Sequence, residues 1–371
     1  MGVIQMNQAP PRLSDLETAE PRSGLPAAEF VVSPRSTEEV AHVLSAASEE
    51  RATVLIWGGG CHQGIGHPIE PRVVLDTAGL SSVIAWEPED LTLVVEAGAT
   101  VSAIEETLGE RRQTALLPET TPEATVGGVV AAGISGYRRA RFGPTRDRVL
   151  QVGLVTGDGR TITGGGRVVK NVSGYDLPRL VTGSFGSTGA ITSVCLKLWP
   201  KPELEATVPV ENAATAWRRA YRPAAVLETD RGSFAYLQGT EAEVTSQARV
   251  LGGDPDPGFR WPSPPEGDLV VSIRVPPALI GAAIARLPTG MRFVAQHGVG
   301  EVTAAVGADD AAELRPWAEH EGGSVVVMSN NGGASIDPWG ADPPGLDIQR
   351  KLIATFDPCR VLNPGRLPGR L

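Results

Sequence analysis

Residues 57–66, Trp-Gly-Gly-Gly-Cys-His-Gln-Gly-Ile-Gly, carry the strongest chemical signal in the sequence. Five of these ten residues are glycine, and they follow an apolar, strand-like stretch at residues 53–56. Because glycine has no Cβ, its backbone can adopt positive φ and bring its amides close to a ligand. A series of such amides forms a concave anion site without any charged side chain. The segment therefore predicts a site for a phosphate or pyrophosphate, and the alternative is a plain glycine-rich turn between strands.

A Rossmann dinucleotide fold is the main competing interpretation of these glycines. Asp76 ends a second apolar stretch at residues 73–75, near the distance expected for a carboxylate that binds ribose. A Rossmann unit also needs a helix after the glycines, with its N-terminus at the pyrophosphate. Residues 63–71 contain two prolines and two glycines, which exclude that helix, and the Gly-x-Gly-x-x-Gly spacing is absent. We therefore expect the loop to bind its anion through its own amides.

Further motifs follow the glycine segment in a fixed order. They are a small-residue segment at 118–136 (PETTPEATVGGVVAAGISG), RFGPTRD at 141–147, KNVSGYDL at 170–177, GSFGSTGAIT at 183–192, FDP at 356–358 and LNPGRL at 362–367. Together with the glycine segment, these motifs resemble the vanillyl-alcohol-oxidase flavoprotein family, whose FAD-binding domain is also called PCMH-type. The likeness is strongest to the FAD-binding subunits of bacterial glycolate oxidases, and it covers nearly the whole chain after the first two dozen residues.

The resemblance implies an α+β fold, in which a two-subdomain PCMH-type FAD-binding domain carries a smaller ferredoxin-like α+β cap. We expect a flexible N-terminal tail at residues 1–23, the FAD-binding domain at 24–202 and the cap or substrate domain at 203–345. Residues 346–371 would then return to the FAD domain. The residue pattern agrees, because Pro200 and Pro202 mark a boundary. Beyond it, strand-like and helical segments alternate, which is typical of helices on one face of a mainly antiparallel sheet.

FAD is the cofactor that the resemblance implies, with its pyrophosphate on the amides of the glycine segment. A turn at residues 125–128 and nearby small residues would let the backbone approach the cofactor, although small residues could instead serve close strand packing. The predicted cofactor-binding residues are Trp57, Gly58, Gly59, Gly60, Cys61, His62, Gly64, Pro118, Thr121, Thr125, Val126, Gly127, Gly128, Ala132, Gly133, Gly136, Gly143, Lys170, Gly186, Ile191 and Asn363.

A covalent link to the flavin is the next question, because relatives that tether FAD often carry a histidine in this loop. The position that aligns with that histidine is Cys61, and His62 lies one residue further on. A shift of one residue points a side chain elsewhere, so we expect noncovalent FAD.

Three residues are candidates for catalysis. Lys170, one of only four lysines, and Tyr175 belong to the family motif near the flavin, where a cation stabilises the anion formed on reduction. The alternative is a surface lysine and a core tyrosine. His297 is the candidate base for the substrate hydroxyl, and a structural histidine is the alternative. Arg274 could bind a substrate carboxylate or be an exposed strand arginine, and Asp176 is expected to hold its loop.

Composition limits the classes of partner. A net charge of −10 disfavours nucleic acid and anionic membrane surfaces, and no apolar run approaches the length of a membrane span. The N-terminal residues lack the apolar core of a signal peptide, so a cytoplasmic protein is expected. The three cysteines form no Cys-x-x-Cys pair, and the five histidines show no ligand spacing, so no metal site is predicted.

Three functions remain open on this basis. The first is the FAD-binding subunit of a glycolate-oxidase-like complex that oxidises 2-hydroxy acids beside a second flavin subunit and an iron–sulfur subunit. These partners could bring the protein to the inner membrane as a peripheral component. The second is a stand-alone FAD-dependent dehydrogenase or oxidase for a small alcohol or hydroxy acid. The third is a subunit that holds FAD for structure or electron relay. The His-x-His motif of some sister dehydrogenases is absent, which argues against independent catalysis.

Overall fold

A computed structural model describes residues 12–119, 121–168 and 174–371 of the chain. The strands are, in chain order, β1 (Phe30–Val32), β2 (Val54–Trp57), β3 (Val73–Asp76), β4 (Val83–Glu87), β5 (Thr92–Glu96), β6 (Gln113–Thr114), β7 (Val149–Val155), β8 (Thr161–Gly165), β9 (Ala190–Lys197), β10 (Trp199–Pro200), β11 (Leu204–Val210), β12 (Ala225–Thr229), β13 (Gly232–Gly239), β14 (Asp256–Pro257), β15 (Leu269–Arg274), β16 (Phe293–Gln296), β17 (Glu301–Ala305) and β18 (Ser324–Asn330). The helices are α1 (Thr37–Glu49), α2 (Val101–Gly109), α3 (Val126–Ala132), α4 (Arg139–Phe142), α5 (Leu177–Val181), α6 (Ala213–Arg219), α7 (Glu241–Leu251), α8 (Ile280–Ile284), α9 (Ala308–His320) and α10 (Leu346–Phe356).

A small parallel sheet positions the glycine loop, the name used here for residues 57–66. Its strand order is β1-β3-β2, and α1 connects β1 to β2. Ser36 begins α1 by accepting a hydrogen bond from the amide of Glu39, as expected for an N-cap serine. Residues 58–72, all of which are described, pass from β2 to β3 through turns and bends without a helix. The helix of a Rossmann unit is therefore absent from this connection, as the prolines and glycines predict.

A five-stranded antiparallel sheet lies next in the chain, with the order β4-β5-β9-β7-β8. Its inward side chains, among them Leu93, Val152 and Val194, form a buried core with residues of α2 and α3, including Val126 and Val130. This core fixes α3 beside the strands, and α3 in turn forms one wall of the site described below.

The second half of the described chain builds an eight-stranded sheet in the order β14-β11-β13-β12-β16-β17-β15-β18. Every pairing between these strands is antiparallel. Residues of α6 to α9 join the cores on one face of the sheet, where Leu237 and Val302 lie. The prediction of a mixed α+β fold is confirmed, and a ferredoxin-like cap stays a prediction.

The last residues of the chain pack against the first sheet. Leu362 forms a parallel bridge with Val54 and is buried in the same core. The side chain of Asn363 accepts a hydrogen bond from the amide of Ile56 at 3.2 Å and donates one to the carbonyl of Phe185 at 2.6 Å. Asn363 therefore joins β2 to the 183–192 segment.

Residues 12–23 differ from the flexible tail expected for residues 1–23. The side chain of Leu13 is fully buried in the core that contains α1, and its amide donates to Glu50 Oε1 at 2.9 Å. The amide of Ala19 donates to the carbonyl of Val31. Polar composition gave no sign of this packing, because one leucine and a few hydrogen bonds hold the segment. Within the described ranges, no helix is long and apolar enough to span a bilayer.

Candidate functional site

A narrow cleft runs along the glycine loop between the small sheet and α3. Twelve of the predicted cofactor-binding residues line it, namely Gly58, Gly59, Gly60, Cys61, His62, Thr125, Gly127, Gly128, Ala132, Gly186, Ile191 and Asn363. They come from four separate motifs. The fold therefore brings together at one cleft residues that are up to 305 positions apart in sequence.

The backbone amides of the glycine loop are available for a ligand. Within the described residues, the amides of Gly58, Gly59, Gly60, Cys61 and His62 donate to no protein acceptor. Two carbonyls just before this run of amides accept hydrogen bonds from protein side chains. Gln63 Nε2 donates to the carbonyl of Ile56, and Thr77 Oγ1 donates to that of Trp57, both at 3.1 Å. Consecutive free amides of this kind favour an anion.

The glycines are needed because the loop packs tightly against residues 123–125. A Cβ at Gly59 would lie 1.9 Å from the carbonyl oxygen of Glu123, and a Cβ at Gly58 would lie 2.3 Å from Thr125 Oγ1. Gly60 has a φ of +79°, a conformation that other residues rarely adopt. A side chain at Gly59 would therefore require the backbone to move, and one at Gly58 would require the hydroxyl of Thr125 to move.

The predicted turn at residues 125–128 is instead the start of a helix. Thr125 is the N-cap of α3, and its Oγ1 accepts from the amide of Gly128 at 3.2 Å. The amides of Val126 and Gly127 donate to the carbonyls of Ala99 and Ala97. The turn prediction was wrong because the glycines concealed a capped helix. Since these amides already have acceptors, the free donors lie on the glycine loop.

A buried arginine closes one end of the cleft. Arg366 is only 5% exposed and donates to Gln63 Oε1 at 2.5 Å and to the carbonyls of His62 and Gln63 at 3.1 Å. Burial lowers the pKa of Arg366 to about 10, so the guanidinium stays charged at neutral pH. Arg366 belongs to the LNPGRL motif, but its residue type and position in the sequence predicted no role for it. The sequence alone could not show that Arg366 is buried among backbone carbonyls.

The histidine and cysteine of the loop have different environments. Burial first, and then the charge of Arg366, lower the pKa of His62. His62 Nε2 is buried without a hydrogen-bond partner among the described residues, and it lies in the wall of the cleft. Cys61 is exposed, and its Sγ lies 2.9 Å from Thr121 Oγ1. The orphaned nitrogen of His62, the free amides and the tight glycines all fit a bound phosphate-containing cofactor.

A larger cavity continues from the cleft. It encloses about 680 Å³, within the usual range for small-molecule sites. The cavity and the cleft share Ala132 and Phe185, and the predicted residues Gly133 and Gly136 line the cavity. Its opposite wall is the face of the eight-stranded sheet that α6 to α9 leave free, where Gln296 and Thr303 lie. The two spaces therefore form one continuous site.

A charged cluster stands in the wall of this cavity. Glu301 Oε2 lies 3.0 Å from Arg139 Nη1, its Oε1 lies 3.5 Å from Arg274 Nε, and Ser272 Oγ donates to Oε1 at 2.7 Å. Burial alone would raise the pKa of Glu301, but Arg274, Ser272 and Arg139 together hold that pKa below its ordinary value. Glu301 is therefore ionised at neutral pH. Two guanidinium groups face one carboxylate, which leaves one positive charge in excess.

Unsatisfied polar atoms also line the cavity. Ser184 Oγ, Thr188 Oγ1 and Gln296 Oε1 are buried and have no hydrogen-bond partner among the described residues. A buried polar atom without a partner costs about 1–3 kcal/mol. Three such atoms around one cavity indicate that a polar ligand completes the site.

Several predicted residues do not line either space. Trp57, Gly64, Pro118, Thr121, Val126 and Gly143 are not among the lining residues in the described part of the chain. Gly143, with a φ of +80°, instead ends α4. Tyr175 is 93% exposed on the surface and also lies outside the lining. Lys170 lies outside the described residues. Asp176, expected to hold its loop, caps α5 by accepting from the amide of Arg179.

His297 is placed away from the cavity, although its neighbour Gln296 lines it. His297 is buried, and its Nε2 lies 2.8 Å from Glu228 Oε2. Glu228 shares the face of β12 that carries Val226, since side chains alternate along a strand, and Val226 packs with α6. The geometry therefore supports a structural role for His297 rather than the catalytic role expected from the sequence.

Comparison with known proteins agrees with the cofactor that this geometry fits. Residues 28–165 match the family described as FAD binding domain. The chain is 29% identical over 343 residues to glycolate oxidase subunit GlcE of Escherichia coli, covering 88% of this chain and 95% of that protein. It is 33% identical over 180 residues to glycolate oxidase subunit GlcD of Bacillus subtilis, but these cover only 48% of this chain and 38% of GlcD.

A D-lactate dehydrogenase of Archaeoglobus fulgidus shares 34% identity over 173 residues, which are 46% of this chain and 39% of that enzyme. Among solved structures, alkyldihydroxyacetonephosphate synthase has a TM-score of 0.65 at 16% identity. That match covers 90% of this chain and 76% of the synthase, and it establishes the fold. The family resemblance read from the motifs is confirmed. Residues 28–165 therefore form an FAD binding domain, and the chain is similar along most of its length to a subunit of a glycolate oxidase.

Proposed function

We propose that the cleft and the cavity together hold one noncovalent FAD and a 2-hydroxy acid. The observation that carries this proposal is the row of free amides from Gly58 to His62, opposite small residues of α3. These amides would bind the pyrophosphate, and the cavity would accommodate the flavin ring. The proposed organisation keeps the FAD domain at residues 24–202 and 346–371, with residues 12–23 added to it. A ferredoxin-like cap at 203–345 completes it.

Noncovalent binding is supported by the side chains near the loop. His62 Nε2 is buried in the wall, and Cys61 Sγ is within hydrogen-bond distance of Thr121. The contact of Cys61 with Thr121 does not need a covalent bond to the flavin. The buried His62 Nε2, unpaired among the described residues, is free to accept a hydrogen bond from the cofactor or donate one to it. FAD released by acid from the purified protein would support this part of the proposal, and flavin that stays with the precipitated protein would contradict it.

The charged cluster suggests how the substrate would bind. When bound, FAD accepts a hydride from a carbon that carries a hydroxyl group. The relatives named for glycolate and D-lactate act on 2-hydroxy acids. Arg274 is about half exposed, and its terminal nitrogens have no acceptor among the described residues. With one positive charge in excess, Arg274 would bind the carboxylate of such an acid, as an arginine fork commonly does.

The proton of the substrate hydroxyl needs an acceptor. Among the described lining residues there is no histidine, and both lining carboxylates are paired, Glu301 with arginines and Glu119 with Arg138 at 3.0 Å. Burial first, and then Glu119 and Glu301, raise the pKa of Tyr137 far above its ordinary value. The cavity thus offers no free base near neutral pH in the described part. This favours a subunit whose activity depends on partners.

We therefore propose the FAD-binding subunit of a glycolate-oxidase-like complex, with a second flavin subunit and an iron–sulfur subunit. It would be cytoplasmic, held at the inner membrane only through partners. The described residues contain no cluster of metal ligands, so the iron–sulfur centres would belong to another chain. A stand-alone hydroxy-acid or alcohol dehydrogenase or oxidase is the second candidate, favoured by the charged cluster in the wall of the cavity. A subunit that only holds FAD is the third.

Anaerobic mixing of the purified, FAD-loaded protein with glycolate, D-lactate and D-2-hydroxyglutarate separates these candidates. The proposal predicts slow or no loss of the oxidised flavin spectrum for the protein alone, and rapid loss once the partner subunits are added. Rapid bleaching without partners would establish the stand-alone enzyme. No bleaching in either case would support the holding subunit and contradict the proposed function.

A further inference from the structure

Arg22 connects the segment before β1 to the glycine loop. Its Nε lies 2.7 Å from Asp76 Oδ2, and its Nη2 lies 2.9 Å from Asp76 Oδ1, so the pair is bidentate. The same Nη2 donates to the carbonyl oxygen of Gly58, 36 residues away in sequence. Arg22 therefore reaches the backbone of the loop from the side opposite the cleft.

Asp76 holds this arginine firmly. The Asp76 side chain is only 4% exposed, and its Oδ1 also accepts from the amide of Ala78 at 3.1 Å. Both carboxylate oxygens are thus occupied by protein donors. Asp76, which the Rossmann interpretation would assign to a ribose, instead fixes a guanidinium group, and the fork of Arg22 has one defined orientation.

The contact with Gly58 has a consequence for the next amide. All peptide bonds of the described chain are trans, and in a trans peptide the C=O and the following N–H point in opposite directions. Because Arg22 holds the carbonyl of Gly58, the amide of Gly59 points away from Arg22 and toward the cleft that Gly59 lines. The neighbouring carbonyl of Trp57 accepts a separate hydrogen bond from Thr77 Oγ1.

We propose that Arg22 is a positioning residue for the cofactor, which presents the Gly59 amide to the pyrophosphate by binding the carbonyl of Gly58. Glycines at this loop can rotate their peptide planes easily, so an unheld peptide would sample orientations with the amide turned away. Arg22 and Asp76 reduce that freedom before the cofactor binds, which lowers the entropic cost of binding. This inference rests on the assignment of FAD to the cleft.

The test compares Arg22→Met with Arg72→Met. Arg72 is a matched control because it is 38% exposed, against 40% for Arg22, and pairs with two carboxylates, Glu29 and Glu50, outside the cleft lining. Titration of the apoprotein with FAD should show a Kd about tenfold higher in Arg22→Met, the size of one charged hydrogen bond. Arg72→Met should bind FAD like the wild type. Arg22→Lys should lie between, since an ammonium cannot reproduce the fork.

A merely structural role is excluded by a second ligand and by thermal unfolding. Riboflavin lacks the pyrophosphate, so its affinity should be the same in Arg22→Met and the wild type. Removing Arg22 leaves the carboxylate of Asp76 buried and unpaired, so the apoprotein Tm should fall further in Arg22→Met than in Arg72→Met, and both affinities are measured at a temperature where thermal unfolding shows both apoproteins to be folded. The proposal is overturned if Arg22→Met binds FAD as tightly as the wild type, or if its affinity for riboflavin falls as much as its affinity for FAD. If Arg22→Met does not fold, Arg22→Lys takes its place in this comparison. A wild type that binds no FAD would instead contradict the proposed function.

Discussion

The cleft and the cavity are lined by different kinds of groups, although they share lining residues. The cleft is lined by glycines, alanines and free backbone amides, with Arg366 as its one charged side chain among the described lining residues. The cavity is lined by charged and polar side chains, among them Arg139, Arg274 and Glu301. Backbone amides are present whatever side chains the residues carry, whereas a charged cluster is altered by a single substitution. Under the proposed function, the cleft would determine which cofactor binds and the cavity would determine which substrate reacts.

Substitution of Gly59 by alanine should produce the largest effect. The added Cβ would lie 1.9 Å from the backbone carbonyl of Glu123, so the loop must move and its amides lose their arrangement. We expect FAD affinity to fall about a hundredfold or more, equivalent to about 2.7 kcal/mol. Fluorescence titration of the apoprotein measures this. Gly281→Ala, in α8 with open space around its Cβ, is the control and should bind FAD normally.

Arg274→Met should separate the cavity from the cleft. Removal of the guanidinium takes away the fork proposed to hold the substrate carboxylate, so the substrate concentration for half-maximal flavin reduction should rise about tenfold to a hundredfold. FAD affinity should not change. The control is Arg160→Met, since Arg160 is 59% exposed and pairs with Asp158 outside the lining. If Arg274→Met lost affinity for FAD as much as for the substrate, the separate roles proposed for the cleft and the cavity would be contradicted.

A smaller effect should appear in the pH dependence of the apoprotein. The pKa of His62 is lowered in the folded state by burial and by Arg366, so the unfolded state binds the proton more readily. The stability that neutral His62 contributes is therefore present above pH 6.5 and is lost as pH falls through the folded pKa. Denaturant unfolding below this pH should show that the free energy of unfolding falls more steeply with decreasing pH in the wild type than in His62→Gln. Identical slopes would mean that His62 is not buried.

His297→Gln should have the smallest effect on flavin chemistry. His297 is hydrogen-bonded to Glu228 and does not line the cavity, so the rate of flavin reduction should stay within about twofold of the wild type. Stability should fall by about 1 kcal/mol through the lost hydrogen bond. Stopped-flow reduction by a hydroxy acid, with partners present, measures the rate. A rate loss of a hundredfold would restore His297 as the base.

The sequence predicted the cleft better than the cavity. Gly58, Thr125 and Asn363 were identified because a glycine loop and its companion motifs carry local signals that do not depend on distant contacts. The mixed α+β fold was also predicted, because strand-like and helical segments alternate after Pro202. Arg139 and Glu301 were not identified as site residues, because they are 162 positions apart and only the fold brings them together.

Two further differences have the same physical origin. The order of residues 12–23 depends on one buried leucine and on the Arg22–Asp76 pair, neither of which has a pattern in the sequence. The choice of His297 as a base rested on residue type alone. Whether its side chain faces the cavity or Glu228 depends on strand register, and a shift of one residue moves a side chain to the other face of the sheet.

A structure of the protein with FAD bound would show directly whether the glycine loop binds the pyrophosphate. We expect pyrophosphate oxygens within about 3.2 Å of the backbone nitrogens of Gly58 to His62, and the flavin ring in the cavity. Arg22 should stay on the carbonyl of Gly58. A pyrophosphate bound elsewhere, with those amides facing solvent, would contradict this expectation.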